Sequence, residues 1–186
     1  FTNGITGYQS GGAVPVAHYK SANTDVLTRV IAKISSKSPA QHIEDIADAV
    51  GYEGAFFISL SPEGYPAFSG GGCLSARDLA RFGLIFTRQG RNIAGQPFAN
   101  NEFLSKTISR DAPQLSEPKG WLRYSNHLMT DGRFVGHAGY GGQFLLIDTK
   151  RKTSFSFLSV LENEDGYDDA YMGKVAVTLK NVLQQF

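Results

Sequence analysis

The sequence is poor in the residues that build several common kinds of site. Its 186 residues include one cysteine, Cys73, so no internal disulfide can form and no cysteine pair can start a zinc site. The 18 Lys plus Arg nearly balance the 17 Asp plus Glu and are dispersed, which leaves no basic patch for nucleic acid. The longest apolar runs, at 82–86 and 144–147, are far shorter than the roughly 20 residues that cross a bilayer. We therefore expect neither a nucleic-acid partner nor a membrane partner.

The chain does contain enough apolar residues for a packed core. Hydrophobic residues make up 41% and aromatic residues 12% of it, so we expect one compact domain or a large piece of one. It begins with Phe1 and lacks the basic and apolar regions of a signal peptide. We interpret this start as a boundary with sequence missing upstream. The compartment stays open between periplasm and cytoplasm, because periplasmic proteins can also lack disulfides.

Helical periodicity dominates the first part of the chain. Over residues 26–34 apolar side chains recur every three or four positions, and either Asn23 or Thr24 can cap this first helix. Residues 1–18 show no sustained period. We assign them no element and interpret them as a loop or the torn edge of something larger.

The second helix carries a complete set of end signals. Ser38 and Gln41 form a capping box, and Pro39 occupies the first helical position. Gly51 is placed to end the helix in a left-handed conformation. A turn sequence at 61–64, between two short apolar runs, then predicts a small hairpin.

A third helix is predicted from another capping pair. Ser75, with Asp78 three residues later, marks its N-terminus, and the apolar pattern continues to about Gly90. A shorter helix is expected over 102–109. Together with the first two helices, these elements make residues 19–120 mainly helical.

The periodicity changes from 3.6 to 2 after Trp121. Runs at 133–136, 143–148 and 154–161 predict strands of an antiparallel meander. A closing helix begins after Asp168 and presents one apolar side. Residues 121–186 are thus strands plus a covering helix, and the whole chain has the layering of an α+β domain.

Three short stretches combine polar side chains and glycines in a way that the core does not require. They read YKSANTDVL from Tyr19, FSGGGCLSARDLARFG from Phe68 and GHAGYGGQ from Gly136. The first is predicted at a helix start, the second before and within a helix, and the third just before a strand. Their order and the lengths between them are more specific than any one stretch alone.

At these residues the chain resembles the serine β-lactamase and penicillin-binding-protein superfamily. It looks most like the branch that holds class C β-lactamases, family VIII esterases and 6-aminohexanoate-oligomer hydrolases. The resemblance runs from about Tyr19 to the C-terminus. It implies a β-lactamase-like α+β fold, in which helices are followed by an antiparallel sheet covered by a C-terminal helix. It also implies acyl transfer, in which a serine attacks an ester, amide or lactam carbonyl.

The resemblance assigns roles to particular residues. Tyr19 is the implied proton shuttle, and because a free phenol has a pKa of about 10, a neighbouring ammonium must favour its phenolate. His137 and Gly139 fill the implied His-x-Gly element, which lines the edge strand beside the substrate carbonyl or carboxylate. Ser21 and Asn23 compete for the second polar position of the tyrosine motif. We rank Ser21 first and leave Asn23 open.

The chain departs from the family pattern at the nucleophile. The family's Ser-x-x-Lys element precedes the tyrosine, yet the sole match in this sequence lies at 116–119, with Pro118 inside it. Proline at that position argues against a helix that presents both side chains on one face. We therefore expect the C-terminal portion of a hydrolase, inactive alone, with the nucleophile segment on another polypeptide, removed or absent. A non-catalytic binding module on the same frame is the alternative function.

Partners and ligands follow from these expectations. The expected substrate is a small ester, amide or lactam, and the expected protein partners are the missing N-terminal segment or a second copy of the chain, since an incomplete sheet leaves an open edge. His18, His42 and His127 show no ligand spacing, so we expect no metal or cofactor. Trp121 and Tyr124 are interpreted as core aromatics and left outside the site.

Overall fold

The computed structural model describes residues 16–17, 19–109, 111–117, 119–162 and 168–185. Within these ranges the chain forms six helices and nine strands. The helices are α1 (Ser21–Ile34), α2 (Pro39–Val50), α3 (Ala76–Phe82), α4 (Leu84–Thr87), α5 (Asn101–Ile108) and α6 (Asp169–Leu183). The strands are β1 (Val16–Ala17), β2 (Phe57–Ile58), β3 (Gly72–Cys73), β4 (Gln114–Leu115), β5 (Arg123–Ser125), β6 (Leu128–Thr130), β7 (Phe134–Gly139), β8 (Gln143–Asp148) and β9 (Thr153–Leu158).

Seven strands form one sheet in the order β1-β4-β5-β6-β7-β8-β9. All neighbours from β4 to β9 pair antiparallel, which confirms the predicted meander. The β1 strand pairs parallel with β4, so Val16 and Ala17 form a strand where the sequence suggested none. The rest of the segment 1–18, to which the sequence analysis assigned no element, lies outside the described residues.

The first helix begins earlier than its sequence suggests. Helix α1 starts at Ser21, its N-cap is Lys20, and no side chain caps it. The prediction of Asn23 or Thr24 as N-cap was therefore wrong, because both residues lie within the first turn. The consequence for the site is that Ser21 sits on the helix, two residues after Tyr19.

The second and third predicted helices show where local signals suffice. Helix α2 has the complete Ser38–Gln41 capping box, and Gly51 adopts a left-handed conformation after it, as predicted. Ser75 caps α3, also as predicted, but the helix is interrupted at Gly83. A side chain there would collide with Ser154 and Ile147, so the chain approaches β8 and β9 closely and continues as the separate helix α4.

Several smaller differences concern strand and turn boundaries. The predicted turn at 61–64 forms, and Gly64 has a positive φ of 81°. Its flanks meet through a single bridge between Leu60 and Pro66, while β2 pairs with β3 instead. The third stretch begins inside β7, which runs to Gly139, and it ends at Gln143, the first residue of β8. It therefore joins two strands and leads into a strand as expected.

The sheet separates two hydrophobic clusters. Val135 and Ile147, both fully buried, pack with residues of α2, α4 and α5 on one face. Phe144 packs with Met172 and Leu179 of α6 on the other face. Successive residues of a strand point to opposite faces, so β7 and β8 contribute to both clusters. We call these the helical face and the α6 face. None of the helices within the described ranges is long and apolar enough to cross a membrane.

Candidate active site

Tyr19 and His137 lie against each other at the edge of the helical face. Their ring centroids are 5.8 Å apart, with the planes tilted by 54°. Tyr19 follows β1 and immediately precedes α1, whereas His137 belongs to β7. The fold thus brings together two residues separated by more than half of the chain, and the roles of both stay predictions.

The two candidates for the second polar position differ in their contacts. The Ser21 hydroxyl donates a long hydrogen bond of 3.4 Å to the Tyr19 hydroxyl oxygen. The Asn23 side chain, half-buried in the first turn of α1, makes no hydrogen bond within the described part of the chain. The geometry therefore favours Ser21, while the role of either residue stays a prediction.

His137 is held by its own strand. Its Nδ1 lies 2.7 Å from the carbonyl oxygen of Ala138. Burial lowers the pKa of His137, the bond to Ala138 opposes this change, and the nearby charges of His127 and Lys119 lower the pKa further. The imidazole is thus predominantly neutral near pH 7.

Tyr124 contacts every other ring of the aromatic cluster, which consists of Tyr19, Tyr124, His127 and His137. The sequence analysis had interpreted it as a core residue. Its ring makes edge-to-face contacts with Tyr19 at 5.9 Å, His137 at 6.1 Å and His127 at 6.3 Å. Its hydroxyl is buried and has no hydrogen-bond partner among the described residues. Burial, and then the nearby Tyr19, raises the pKa of Tyr124, so this phenol stays protonated. We include Tyr124 in the candidate site.

His127 also reaches the cluster and was missed from the sequence. It follows Asn126 in the two-residue turn between β5 and β6, and φ is 49° at Asn126 and 62° at His127. Glycine is the usual second residue of such a turn, so a histidine there is under backbone strain. His127 Nδ1 lies 3.4 Å from the Thr24 hydroxyl of α1. An Asn-His pair between two short β-type runs is the signal that could have located it.

The strand segment that carries His137 and Gly139 is an open edge. Residues 134–139 all pair with β8, but β6 pairs only with Val135 and Gly136. Residues 137–139 are therefore hydrogen-bonded in a ladder on one side only, within the described residues. A side chain at Gly139 would press on the Gln143 side chain, 3.1 Å away. Such an edge can pair with an extended ligand.

The glycine stretch that follows Ser69 is tied to α1. The Asp25 carboxylate accepts hydrogen bonds from the Ser69 hydroxyl at 2.9 Å and from the Ser69 backbone N–H at 3.3 Å. Asp25 lies one turn after Ser21 on the same helix. This contact fixes the start of residues 70–72 next to the helix that bears the candidate site.

The Ser-x-x-Lys match at 116–119 lies in a turn. The Lys119 N–H donates to the Ser116 carbonyl at 2.9 Å, and the Lys119 ammonium pairs with Asp169 of α6 at 2.8 Å. No helix carries these residues, which agrees with the expectation that proline prevents one. Residue 118 itself lies outside the described residues.

A cavity adjoins the aromatic cluster at His137. It measures about 440 Å³ and lies on the α6 face, between the sheet and α6, lined mainly by apolar side chains such as Met129, Phe144 and Met172. His137, whose side chain shares the face of Val135, is also among the residues that line this cavity. We place the candidate site at the cluster because ionisable groups meet there beside the strand edge of residues 137–139, which is open within the described part of the chain. Within the described ranges, no His, Cys, Asp and Glu side chains converge as metal ligands would.

Comparison with known proteins assigns the family. A family model described as Beta-lactamase matches residues 12–177, well over half of the chain. A Bacillus anthracis protein of known structure, named "Putative 6-aminohexanoate-dimer hydrolase", is 22% identical and has a TM-score of 0.73; the match covers 90% of this chain and 43% of that chain. At that identity the likeness shows the fold alone, which confirms the predicted β-lactamase-like α+β fold. No curated protein matches the sequence. The chain belongs to the β-lactamase family.

Proposed function

We propose that the chain supplies the tyrosine and His-x-Gly part of the active site of a serine hydrolase that cleaves an ester, amide or lactam. The observation that carries this proposal is the contact of Tyr19 with His137, 5.8 Å between ring centroids, beside an open strand edge. The Ser21 hydroxyl bonded to Tyr19 supports it. The name of the Bacillus anthracis protein adds amides of 6-aminohexanoate to the substrates worth testing.

In the proposed reaction a serine hydroxyl attacks the substrate carbonyl and forms an acyl-serine ester. Tyr19 relays the proton of that hydroxyl to the leaving nitrogen or oxygen as its bond to carbon breaks. Water then attacks the ester, Tyr19 passes a proton of that water to the serine oxygen as its bond to carbon breaks, and the acid is released. Residues 137–139 orient the substrate along β7, and backbone N–H groups hold the developing oxyanion.

The nucleophile is the part that this chain does not supply in the proposal. Its sole Ser-x-x-Lys sequence lies in a turn, and Lys119 pairs with Asp169. We therefore expect no mass adduct on the 186-residue chain after incubation with a fluorophosphonate or a penicillin, and no hydrolysis of nitrocefin or a p-nitrophenyl ester. The measurement is intact-mass spectrometry, with Ser116→Ala as the matched control. An adduct lost in Ser116→Ala would make Ser116 the nucleophile and contradict the proposal.

The tyrosine is tested in the native gene product that contains this chain, if that product also carries a Ser-x-x-Lys helix. Tyr19→Phe removes the proton relay and is expected to lower the acylation rate by about 10²- to 10⁴-fold. Tyr65→Phe removes a hydroxyl outside the cluster and serves as the control. Equal rates for Tyr19→Phe and the native protein would remove Tyr19 from the mechanism.

A non-catalytic binding module is the second candidate, because the aromatic cluster is formed without a suitable serine. It predicts that the native gene product binds an amide or lactam but never becomes acylated. Two protein partners belong to these proposals: the missing nucleophile segment, and a second copy of the chain along the outer edge of β9. The division into residues 19–120 and 121–186 likewise stays a proposal.

A further inference from the structure

The hydrogen bond of His137 defines which ring nitrogen carries the proton. A carbonyl oxygen only accepts hydrogen bonds, so the 2.7 Å contact with Ala138 requires the proton on Nδ1. In the neutral imidazole the other nitrogen, Nε2, is then a hydrogen-bond acceptor with no proton of its own. The strand that holds the ring therefore fixes the chemistry of its free nitrogen.

Nε2 is available to a ligand. It makes no hydrogen bond within the described part of the chain, and it is not among the buried polar atoms without a partner, which are the Tyr124 hydroxyl and Thr153 Oγ1. The ring contacts both Tyr19 and Tyr124, at 5.8 and 6.1 Å between centroids, and these two rings also contact each other at 5.9 Å. Those contacts restrict its orientation, so Nε2 has a defined position beside the open edge of β7.

The groups around the ring do not convert it into a cation. The side chains that act on it electrostatically are His127 and Lys119, and both disfavour an imidazolium. The Lys119 ammonium is itself paired with Asp169. Tyr19 and Tyr124 contact the ring directly, and Lys20 neighbours Tyr19 in sequence. No carboxylate contacts the imidazole within the described residues, as an ion pair would require.

We propose that His137 Nε2 accepts a hydrogen bond from an N–H or O–H of the substrate, so that this position takes an uncharged amide or hydroxyl and rejects a carboxylate. The reason is that a lone pair on nitrogen faces the ligand, and a carboxylate offers only further lone pairs. A lysine in the same place would have the opposite preference. The inference rests on the proposed function, because it assumes that the substrate lies along residues 137–139.

The test uses two probes that differ in one group. N-methylacetamide, the methylamide of acetic acid, offers one amide N–H, and acetate is a carboxylate at pH 7 with no N–H or O–H to donate. Each is titrated into the chain labelled with ¹⁵N-histidine, and the Nε2 resonance of His137 reports the hydrogen bond. The ring proton resonances of Tyr19 report independently whether a probe enters the cluster. We expect the methylamide to shift Nε2 and to bind about three- to tenfold more tightly than the carboxylate, the ratio that one net hydrogen bond provides.

Two variants separate the acceptor from the shape of the ring. His137→Phe keeps an aromatic ring but has no Nε2, so the methylamide should lose its advantage. His137→Lys should reverse the preference in favour of the carboxylate. If either variant fails to fold, the ¹⁵N spectrum of the unsubstituted chain still decides the question.

Each possible result either supports or contradicts the inference. A carboxylate that shifts Nε2 as strongly as the methylamide, or a doubly protonated His137 at pH 7, overturns this inference and leaves the proposed function standing. If neither probe moves the Tyr19 or His137 resonances, both the inference and the placement of the site at this cluster fall. A methylamide-specific shift that disappears in His137→Phe establishes the acceptor.

Discussion

The two faces of the sheet differ in how completely they are covered. On the helical face, Val135 and Ile147 are fully buried beneath α2, α4 and α5. On the α6 face one helix covers the same strands and leaves a cavity of about 440 Å³. The comparison places the candidate site beside the well-packed face, where the contacts among Tyr19, Tyr124 and His137 restrict each ring although Tyr19 stays half exposed. A site of defined geometry requires such support.

The largest expected effect comes from two adjacent residues of β8. Ile147 is fully buried on the helical face, whereas Leu146 lines the cavity on the α6 face. Ile147→Ala should lower the free energy of unfolding by about 4 kcal/mol, because it creates a new void in a packed core. Leu146→Ala should lower the free energy of unfolding by only about 2 kcal/mol, because the neighbours of Leu146 already border the cavity.

Urea unfolding of both variants, monitored by circular dichroism, measures this difference. The side chains have the same number of carbon atoms, so the transfer term is similar and the packing of each face decides the result. Equal losses for the two variants would show that the α6 face is as well packed as the helical face in solution.

Sequence patterns predicted the parts of the fold that local chemistry specifies. The capping box of α2, the Ser75 cap of α3 and the Asp168 cap of α6 were all visible, because each joins residues three positions apart. The break at Gly83 was not visible. It depends on Ser154, which is distant in the sequence and approaches only after β9 has docked.

The residues of the candidate site likewise divide into those that local motifs predict and those that depend on distant parts of the chain. Tyr19, Ser21 and His137 could be nominated from short motifs, but the contact of Tyr19 with His137 depends on the order of the sheet, in which β4, β5 and β6 separate β1 from β7. Tyr124 and His127 belong to strands of three residues each and the turn between them. Periodicity has too few residues to act on there, and half-buried aromatics near strands are usually core.

A smaller effect is expected from filling the α6-face cavity. Ala176 of α6 lines it, and Ala176→Leu should raise the free energy of unfolding by about 1 kcal/mol.

The apolar lining and the outer edge of β9, which carries no charge or proline, also predict association of the chain at high concentration. Light scattering and ANS fluorescence measure this, and Ala176→Leu should bind less ANS. A monomeric chain that binds no ANS would contradict the incomplete cover of this face.

The last effect appears at acid pH and concerns a carboxylate on the helical side of the sheet. Asp78, buried beneath the helical face, accepts hydrogen bonds from the backbone N–H groups of Glu53 and Gly54, from the Ser75 hydroxyl and from Arg81. The Glu53 amide is the main cause that lowers the pKa of Asp78 from 3.8 to about 2, and burial opposes it. Because the pKa of Asp78 in the folded chain lies below that in the unfolded chain, the stabilisation is complete above about pH 4 and is lost as the pH falls through about 2.

Asp78→Asn should therefore flatten the dependence of the free energy of unfolding on pH between about pH 4 and pH 2. Urea unfolding at a series of pH values measures this dependence. The control is Asp45→Asn on the surface of α2, whose carboxylate pairs with Lys37. An unchanged slope in Asp78→Asn would mean that the network around Asp78 does not hold its proton affinity down in solution.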